Sequence, residues 1–299
     1  MNIRNIYNKG RRELFKVLSR TCMRHAQTDY FGLQVSIPLL HGVGAEFLVA
    51  RDPWMSFCLE LFLQNKPGLV VDIGANTGLY LLKLRAIDQQ REYLGFEPNP
   101  IGNHYMQELI RQNSFQNTRV LPFALSDQKT MRQFYIARKA DKMGSLYDSA
   151  RFGDERKKFS FDVLTLPGDE IFDTLDPQAI SAIKIDVEGA ELEVLRGIRK
   201  TVSRHKPFIY CEIWRVPEPS HPTYQEKLQN LEALLELIAE LDYCILGATG
   251  AQPDNVDELQ SIDDFSGYMS RDYVLVHRDD LELIKSALAR HSQPMRYKP

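Results

Sequence analysis

The stretch from Leu69 to Gly78 constrains the fold more than any other part of the chain. Leu69-Val70-Val71-Asp72-Ile73 is an apolar, β-branched run carrying one acid. Gly74-Ala75-Asn76-Thr77-Gly78 is a short glycine-rich turn, and Leu79-Tyr80-Leu81-Leu82-Lys83-Leu84 follows with helix-forming residues. A buried run, a tight loop and a helix start read as the first βα turn of an open α/β sheet. Ligands in such sheets bind at the carboxyl ends of the strands, where strand order reverses. Gly74 and Gly78 let the backbone turn sharply and come close to a ligand.

The turn is not a dinucleotide fingerprint. A pyrophosphate site needs G-x-G-x-x-G, with amides and a helix N-terminus aimed at the phosphates. Here the spacing is D-x-G-x-x-x-G, and Asn76 stands where the second glycine would be. No lysine follows the second glycine, so there is no P-loop either. An acid ahead of the loop suits a ligand with a cationic end. S-adenosylmethionine has an ammonium, a sulfonium and a ribose but no phosphate, and it fits. The bland alternative is a turn that only closes a strand–helix corner.

The next strand adds a second acid. Glu92-Tyr93-Leu94-Gly95-Phe96 runs into Glu97, Pro98 stops the strand, and Pro100 can open a helix. Glu97 lies about 20 residues past the glycine turn, where a carboxylate grips ribose hydroxyls.

Composition sets outer bounds. With 299 residues and 43% hydrophobic content, one large α/β domain with additions is expected. The formal charge of −3 argues against a general polyanion binder, so no nucleic-acid partner is expected. Cys22, Cys58, Cys211 and Cys244 are scattered without a C-x-x-C pair, a reducing-compartment pattern with no zinc site. No run spans a membrane and the start lacks a signal-peptide core, so the chain is expected to be cytoplasmic.

Along the chain, Asn5 to Ala26 is a basic helix candidate, with Arg12, Lys16, Arg20 and Arg24 on one face. It reads as a contact with a membrane or a lipid-linked glycan, or more simply as a solvated face on a docked helix. Phe31 to Pro38 alternates with period two and Glu46 to Ala50 follows, a small hairpin placed to cap an acceptor. Trp54 to Gln64 reads as a helix. Arg119 to Phe123 reads as a third strand ending in Ala124-Leu125-Ser126-Asp127, small enough to admit an adenine or simply a turn. Met131 to Ile136 and Phe159 to Thr165 read as strands flanking a charged loop, either a lid or a surface excursion.

Ile183-Lys184-Ile185-Asp186-Val187-Glu188-Gly189-Ala190-Glu191 is a second signature. It places Lys184 and Asp186 on one face of a buried strand and opens a helix expected over Glu188 to Arg199. A buried lysine needs an acidic partner, and Glu212 on the strand Phe208 to Trp214 is the candidate. Asp186, at a strand's carboxyl end, can hold the cofactor, bind an acceptor hydroxyl or take its proton. His221 in the loop Val216 to Pro222 is a further candidate base, or polar surface. Thr223-x-x-Glu226 forms a capping box before a long helix, and Tyr243 to Leu246 and Tyr273 to Val276 are the last strands, separated by a polar loop.

These motifs together resemble the FkbM-type family of S-adenosylmethionine-dependent methyltransferases. The resemblance covers about Pro67 to Gly247 and rests on V-D-I-G-A-N-x-G, F-E-P, A-L-S-D and I-K-I-D-V-E-G-A-E. Pro207 and Glu212 match its strand that carries a glutamate, whereas Pro167-Gly168 stands before Asp169 where the family has an acid sooner. The resemblance implies a class I, Rossmann-like α/β fold: a mostly parallel seven-stranded sheet with its last strand antiparallel and helices on both faces. It implies O-methylation of a hydroxyl, often on a sugar, polysaccharide or natural product. Carried over by position, it puts Asp72, Gly74, Ala75, Asn76 and Gly78 at the methionine end, Glu97 and Pro98 at the ribose and Ala124 near adenine. Asp186 and Glu188 then stand at the transfer site.

A sugar hydroxyl is a poor nucleophile, so Asp186, Glu188, Glu212 or His221 is expected to take or orient its proton. A divalent ion between Asp186 and Glu212 fits the residue types, but no spacing demands one. Rival readings are a methyltransferase acting on another small molecule or a macromolecule, a dehydrogenase, and a non-catalytic cofactor-binding subunit. The expected organisation is an N-terminal segment over residues 1–64, the catalytic domain over 65–280 and a helix with a tail over 281–299.

Overall fold

A computed structural model describes residues 24–40, 43–44, 47, 53–136, 144–147, 159–248, 256–259, 261–267 and 271–290. The chain begins with β1 (His25–Tyr30), β2 (Leu33–Pro38), α1 (Pro53–Asn65), β3 (Leu69–Ile73), α2 (Leu79–Ile87) and β4 (Tyr93–Phe96). It continues with α3 (Pro100–Asn113), β5 (Thr118–Leu121), β6 (Ala124–Ser126), β7 (Thr130–Ile136), β8 (Gly144–Ser145), β9 (Phe159–Pro167) and α4 (Gly168–Leu175). The last part holds β10 (Ile180–Ile185), α5 (Glu191–Gly197), α6 (Arg199–His205), β11 (Phe208–Glu212) and α7 (Tyr224–Glu240). It ends with β12 (Tyr243–Ala248), β13 (Val256–Leu259), β14 (Asp272–His277) and α8 (Leu281–Arg290).

The main sheet runs β13-β12-β14-β11-β10-β3-β4-β5. β11, β10, β3, β4 and β5 are parallel neighbours, and β14 lies antiparallel between β11 and β12. This is the expected class I arrangement with one addition. The sheet has eight strands rather than seven, because β13 pairs antiparallel with β12 at the edge. Val256-Asp257-Glu258-Leu259 has only two apolar residues inside a polar stretch, so its strand character was hidden. Leu259 is buried, and Lys285 of α8 holds Glu258 at 2.8 Å.

Every residue of β3 and β10 is buried, which is why both read as largely apolar runs, broken only by Asp72 in β3 and by Ser181 and Lys184 in β10. Alternate side chains supply two different layers. Val71, Ile73, Ile183 and Ile185 pack toward α5 and α7, while Val70, Ala182, Phe208 and Tyr210 pack toward α1 and α2. Strand order reverses between β3 and β10, so the loops leaving these two strands meet at one crevice. A second sheet, β6-β9-β7-β8, flanks it and brings Gly144–Ser145 to its rim.

Several local expectations are corrected. A hairpin forms between β1 and β2; of the segment 46–50 expected to pair with 31–38, residues 46 and 48–50 lie outside the described residues. His25 and Ala26 are therefore strand, with Arg24 just ahead of it; the rest of the basic segment, with Arg12, Lys16 and Arg20, lies outside the described residues. The hairpin packs on α3, where Asn113 bonds both Ser36 N (2.7 Å) and Ser36 O (2.8 Å). None of its described residues lines the cavities below. Thr223 caps nothing with its hydroxyl, because that oxygen lies 3.0 Å from His221 Nδ1. The helix expected from Glu188 begins at Glu191 and breaks at Ile198. Glu188 and Gly189 hold φ of 58° and 111°, incompatible with a right-handed helix.

Candidate active site

The site rests on a buried layer of charge. In the ladder Lys184 stands opposite Asp72 on one side and Tyr210 on the other. Lys184 Nζ lies 3.2 Å from Asp72 Oδ1, 3.4 Å from Asp186 Oδ2 and 3.1 Å from the carbonyl of Gly74. Its partners are thus Asp72 and Asp186, not the expected Glu212, because register puts Glu212 one pleat further along. Tyr93 donates to Asp72 Oδ2 at 2.7 Å. It can lean there because Gly95, opposite Asp72, has no side chain; a Cβ would lie 3.1 Å from the tyrosine ring. Burial raises the Asp72 carboxyl above its usual range, against the pull of Lys184. Burial also works to lower the Lys184 ammonium, but Asp186 and Asp72 outweigh it and its pKa stands above normal.

Above this layer opens a cavity of about 580 Å³ at the carboxyl ends of β3, β4 and β10. Gly74, Asn76, Glu97, Pro98, Ala124, Asp186 and Glu188 line it, together with Phe96, Leu125 and Leu146. Gly74 holds φ of 80°, and a Cβ there would sit 2.0 Å from the Asp186 carbonyl. The glycine turn and the second signature therefore meet backbone to backbone, which only glycine permits. Glu97 is 4% exposed and accepts from the backbone N–H groups of Asn76 and Asn99. Burial, offset in part by those two bonds, pushes its carboxyl up to about 7.

The chemistry of this lining suits S-adenosylmethionine. Asn76 Oδ1 is buried and accepts no hydrogen bond among the described residues, so it awaits a donor. Glu97 has carboxylate lone pairs for a diol. Ala124 leaves space beside Phe96 and Leu125 for a flat ring.

At the far side of the cavity stand three carboxylates. One oxygen each from Asp186, Glu188 and Glu212 lies within 4.8 Å of the others, an oxygen set that could hold a divalent ion. Burial, and then the charges of Asp186 and Glu188, push Glu212 up to about 9. The turn that carries Glu188 is held from beneath by Glu191, whose carboxylate accepts from Gly189 N at 3.0 Å. Ser145 fastens it from above, donating to the Glu188 carbonyl at 2.8 Å.

The predicted residues thus separate into three groups. Gly74, Asn76, Glu97, Pro98, Ala124, Asp186 and Glu188 share the cavity, with Glu212 joining through the carboxylate trio. Asp72, Ala75 and Gly78 lie behind the wall and shape it; Asp72 is fully buried, and Gly78 packs on Met106 and Leu109. His221 is exposed on its loop beside Thr223 and lines neither cavity. Asp169, after the Pro167-Gly168 departure, accepts from Lys200 N and Thr201 N at the start of α6 and serves the fold. Sequence reasoning missed Tyr93, Ser145 and Glu191. Only Glu191 left a sequence trace, as an acid just after a glycine turn.

The sequence matches the family described as Methyltransferase FkbM domain over residues 72–244. It is 27% identical to Methyltransferase sdnD of Sordaria araneosa, across 65% of this chain and 81% of that protein. It is 22% identical to Methyltransferase 1 of Beauveria bassiana, across 50% of this chain and 66% of that one. A crystal structure of Methyltransferase FkbM from Methylobacillus flagellatus aligns with a TM-score of 0.45 and 19% identity, covering 92% of this chain. This chain spans 59% of that protein's length.

Proposed function

Because the chain belongs to the FkbM methyltransferase family, we propose that it moves the methyl group of S-adenosylmethionine to a hydroxyl oxygen of a sugar, polysaccharide or glycan-like natural product. The observation that carries this reading is the carboxylate trio standing at one end of a cavity whose other end offers Glu97 and Asn76.

When bound, S-adenosylmethionine supplies an electrophilic methyl on a sulfonium leaving group. The protein does the rest by position and by proton handling. Glu97 accepts from the ribose hydroxyls, and Asn76 with the Gly74 turn borders the amino-acid end. Asp186, fixed by Lys184, orients the acceptor hydroxyl and takes its proton as the carbon–oxygen bond forms and the carbon–sulfur bond breaks. Glu212, held as a neutral acid, limits the repulsion within the trio and can donate to the acceptor. Leu146 adds an apolar wall to the cavity. His221, exposed and outside the cavity, assists at most through the acceptor.

The deciding experiment follows isotope-labelled methyl into the source cell's glycans, separated into soluble, lipid-linked and polymer fractions. Label in an alkali-stable sugar ether is expected. Label confined to protein or nucleic acid would overturn the glycan reading. Tight binding of S-adenosylhomocysteine with no transfer at all would favour a non-catalytic subunit.

A further inference from the structure

Beside the carboxylate trio lies a second, mostly apolar cleft, of about 620 Å³ with its open mouth included. Leu192 on α5, Ile213 and Trp214 after β11, and Leu231 and Leu234 on α7 form its walls, with Tyr147 at one end. We propose that this cavity seats an apolar body of the acceptor, an alkyl chain or hydrocarbon ring system, while the acceptor hydroxyl lies beside Asp186, Glu188 and Glu212. The acceptor is then amphipathic rather than a bare polar glycan. This rests on the trio being the transfer site.

Three peptide links join the two spaces. Leu146 lines the first cavity and Tyr147 the second; Glu188 lines the first and Gly189 the second. Glu212 belongs to the trio, and Ile213 lines the second cavity. Consecutive Cα atoms are about 3.8 Å apart, so the two spaces lie side by side with one thickness of backbone between them. The walls are also fixed in advance. Lys227 Nζ and Arg271 Cζ sit 5.0 Å and 4.8 Å from the centre of the Trp214 ring and brace it. The Tyr147 hydroxyl donates to Glu193, which also pairs with Arg132. Glu191 turns its carboxylate into the Gly189 and Val187 amides and away from ligand duty. A mostly apolar cavity with a few polar groups, here Glu226, Lys227 and Asn230 beside the leucines, is the usual form of a small-molecule site. A fully hydroxylated acceptor would leave its hydroxyls unsatisfied against Leu192, Leu231 and Leu234.

Trp214 provides the test. The chain has two tryptophans, and Trp54 on α1 packs against Phe57 in the opposite layer. In a Trp54→Phe protein saturated with S-adenosylhomocysteine, emission reports Trp214 alone. Octyl β-D-glucoside, kept below its micelle concentration, is expected to shift that emission saturably and at least about tenfold more tightly than methyl β-D-glucoside, as burial of several methylenes would give. Leu192→Asp should weaken the octyl response at least about tenfold and Leu192→Ile should keep it, with S-adenosylhomocysteine affinity by calorimetry unchanged in both. Equal responses to the two glucosides, or none to either, would overturn the apolar subsite and leave the transfer reading standing. An octyl response combined with label outside any sugar ether would remove the glycan reading and leave the subsite. Should Leu192→Asp fail to fold, the octyl-to-methyl ratio decides alone.

Discussion

The two ends of the proposed site, one for the cofactor and one for the acceptor, are built in different ways. The proposed cofactor end hangs on the ends of parallel strands: Gly74, Glu97 and Asp186 each follow a buried strand by one residue. Beneath it, Asp72, Lys184 and Tyr93 are locked by ladder register. The acceptor end hangs on turns and loop segments: Glu188 in a left-handed turn, Tyr147 just past a two-residue strand, Trp214 just past β11. A strand end is fixed by the whole sheet, whereas a turn is fixed by the few bonds that hold it. On the proposed reading, positions that would meet a constant ligand sit on the sheet, and positions that would distinguish acceptors sit where single bonds can be traded without disturbing the core.

The largest break between the two ends should come at Asp186, which belongs to both. Asp186→Asn is expected to lower kcat by about 10²–10⁴-fold while S-adenosylhomocysteine affinity changes by less than about tenfold. Turnover near wild type with saturating cofactor would take Asp186 out of proton transfer.

Next comes the layer under the cofactor end. Lys184→Met leaves Asp72, 0% exposed, without its cation, and should cost about 3–5 kcal/mol in urea unfolding. Adding Asp72→Asn should recover most of that loss, since a neutral amide needs no counter-charge. Failure of the double variant to recover would mean that Lys184 matters mainly through Asp186.

A pH titration separates binding from stability at Glu97. Its folded pKa of about 7 lies above the ordinary 4.5. Between those values the folded protein binds the extra proton, so stability of the cofactor-free protein should fall as pH rises from 4.5 to about 7. Cofactor affinity should run the other way, weakening by up to about tenfold per unit as pH falls below 7 and the ribose acceptor is protonated. Calorimetric titration with S-adenosylhomocysteine from pH 5.5 to 8 tests this; Glu97→Gln should flatten the affinity slope and lessen the stability slope, to which Glu191 and Glu212 also contribute.

The smallest effect is expected at His221. With its ring exposed and Nδ1 engaged by Thr223, His221→Ala should change kcat/KM by less than about threefold at neutral pH. A loss above about a hundredfold would move the base from the sheet to the loop and reverse the contrast between the two ends.

The same contrast explains what could be read from the chain. β3, β10 and β11 were legible because burial on both faces leaves a continuous apolar run, and Glu97 and Asp186 because each is an acid closing such a run. β1 was not, because His25-Ala26-Gln27-Thr28-Asp29-Tyr30 is polar and continues a basic helical pattern. Its pairing depends on Leu33–Pro38, not on its own residues. The Lys184 partner was misplaced because which acid faces a lysine is decided by register between strands distant in sequence. Glu188 was placed inside a helix because an acid before Gly-Ala-Glu looks like a helix start; the left-handed backbone that prevents it comes from the crevice. The apolar cavity was invisible, since Tyr147, Leu192, Trp214 and Leu231 share no local pattern.

The three described cysteines have a practical consequence. Cys58, Cys211 and Cys244 are free thiols, each 4% exposed or less. Cys211 packs in the layer beneath α5 and α7, so a thiol reagent can reach it only when those helices part from the sheet, and β11 is the strand that ends in Glu212. The rate at which Cys211 becomes modified, followed by peptide mass spectrometry, is thus a clock for opening of the helix layer beside the carboxylate trio. Slowing of that clock by an added compound would identify ligands before any product had been seen.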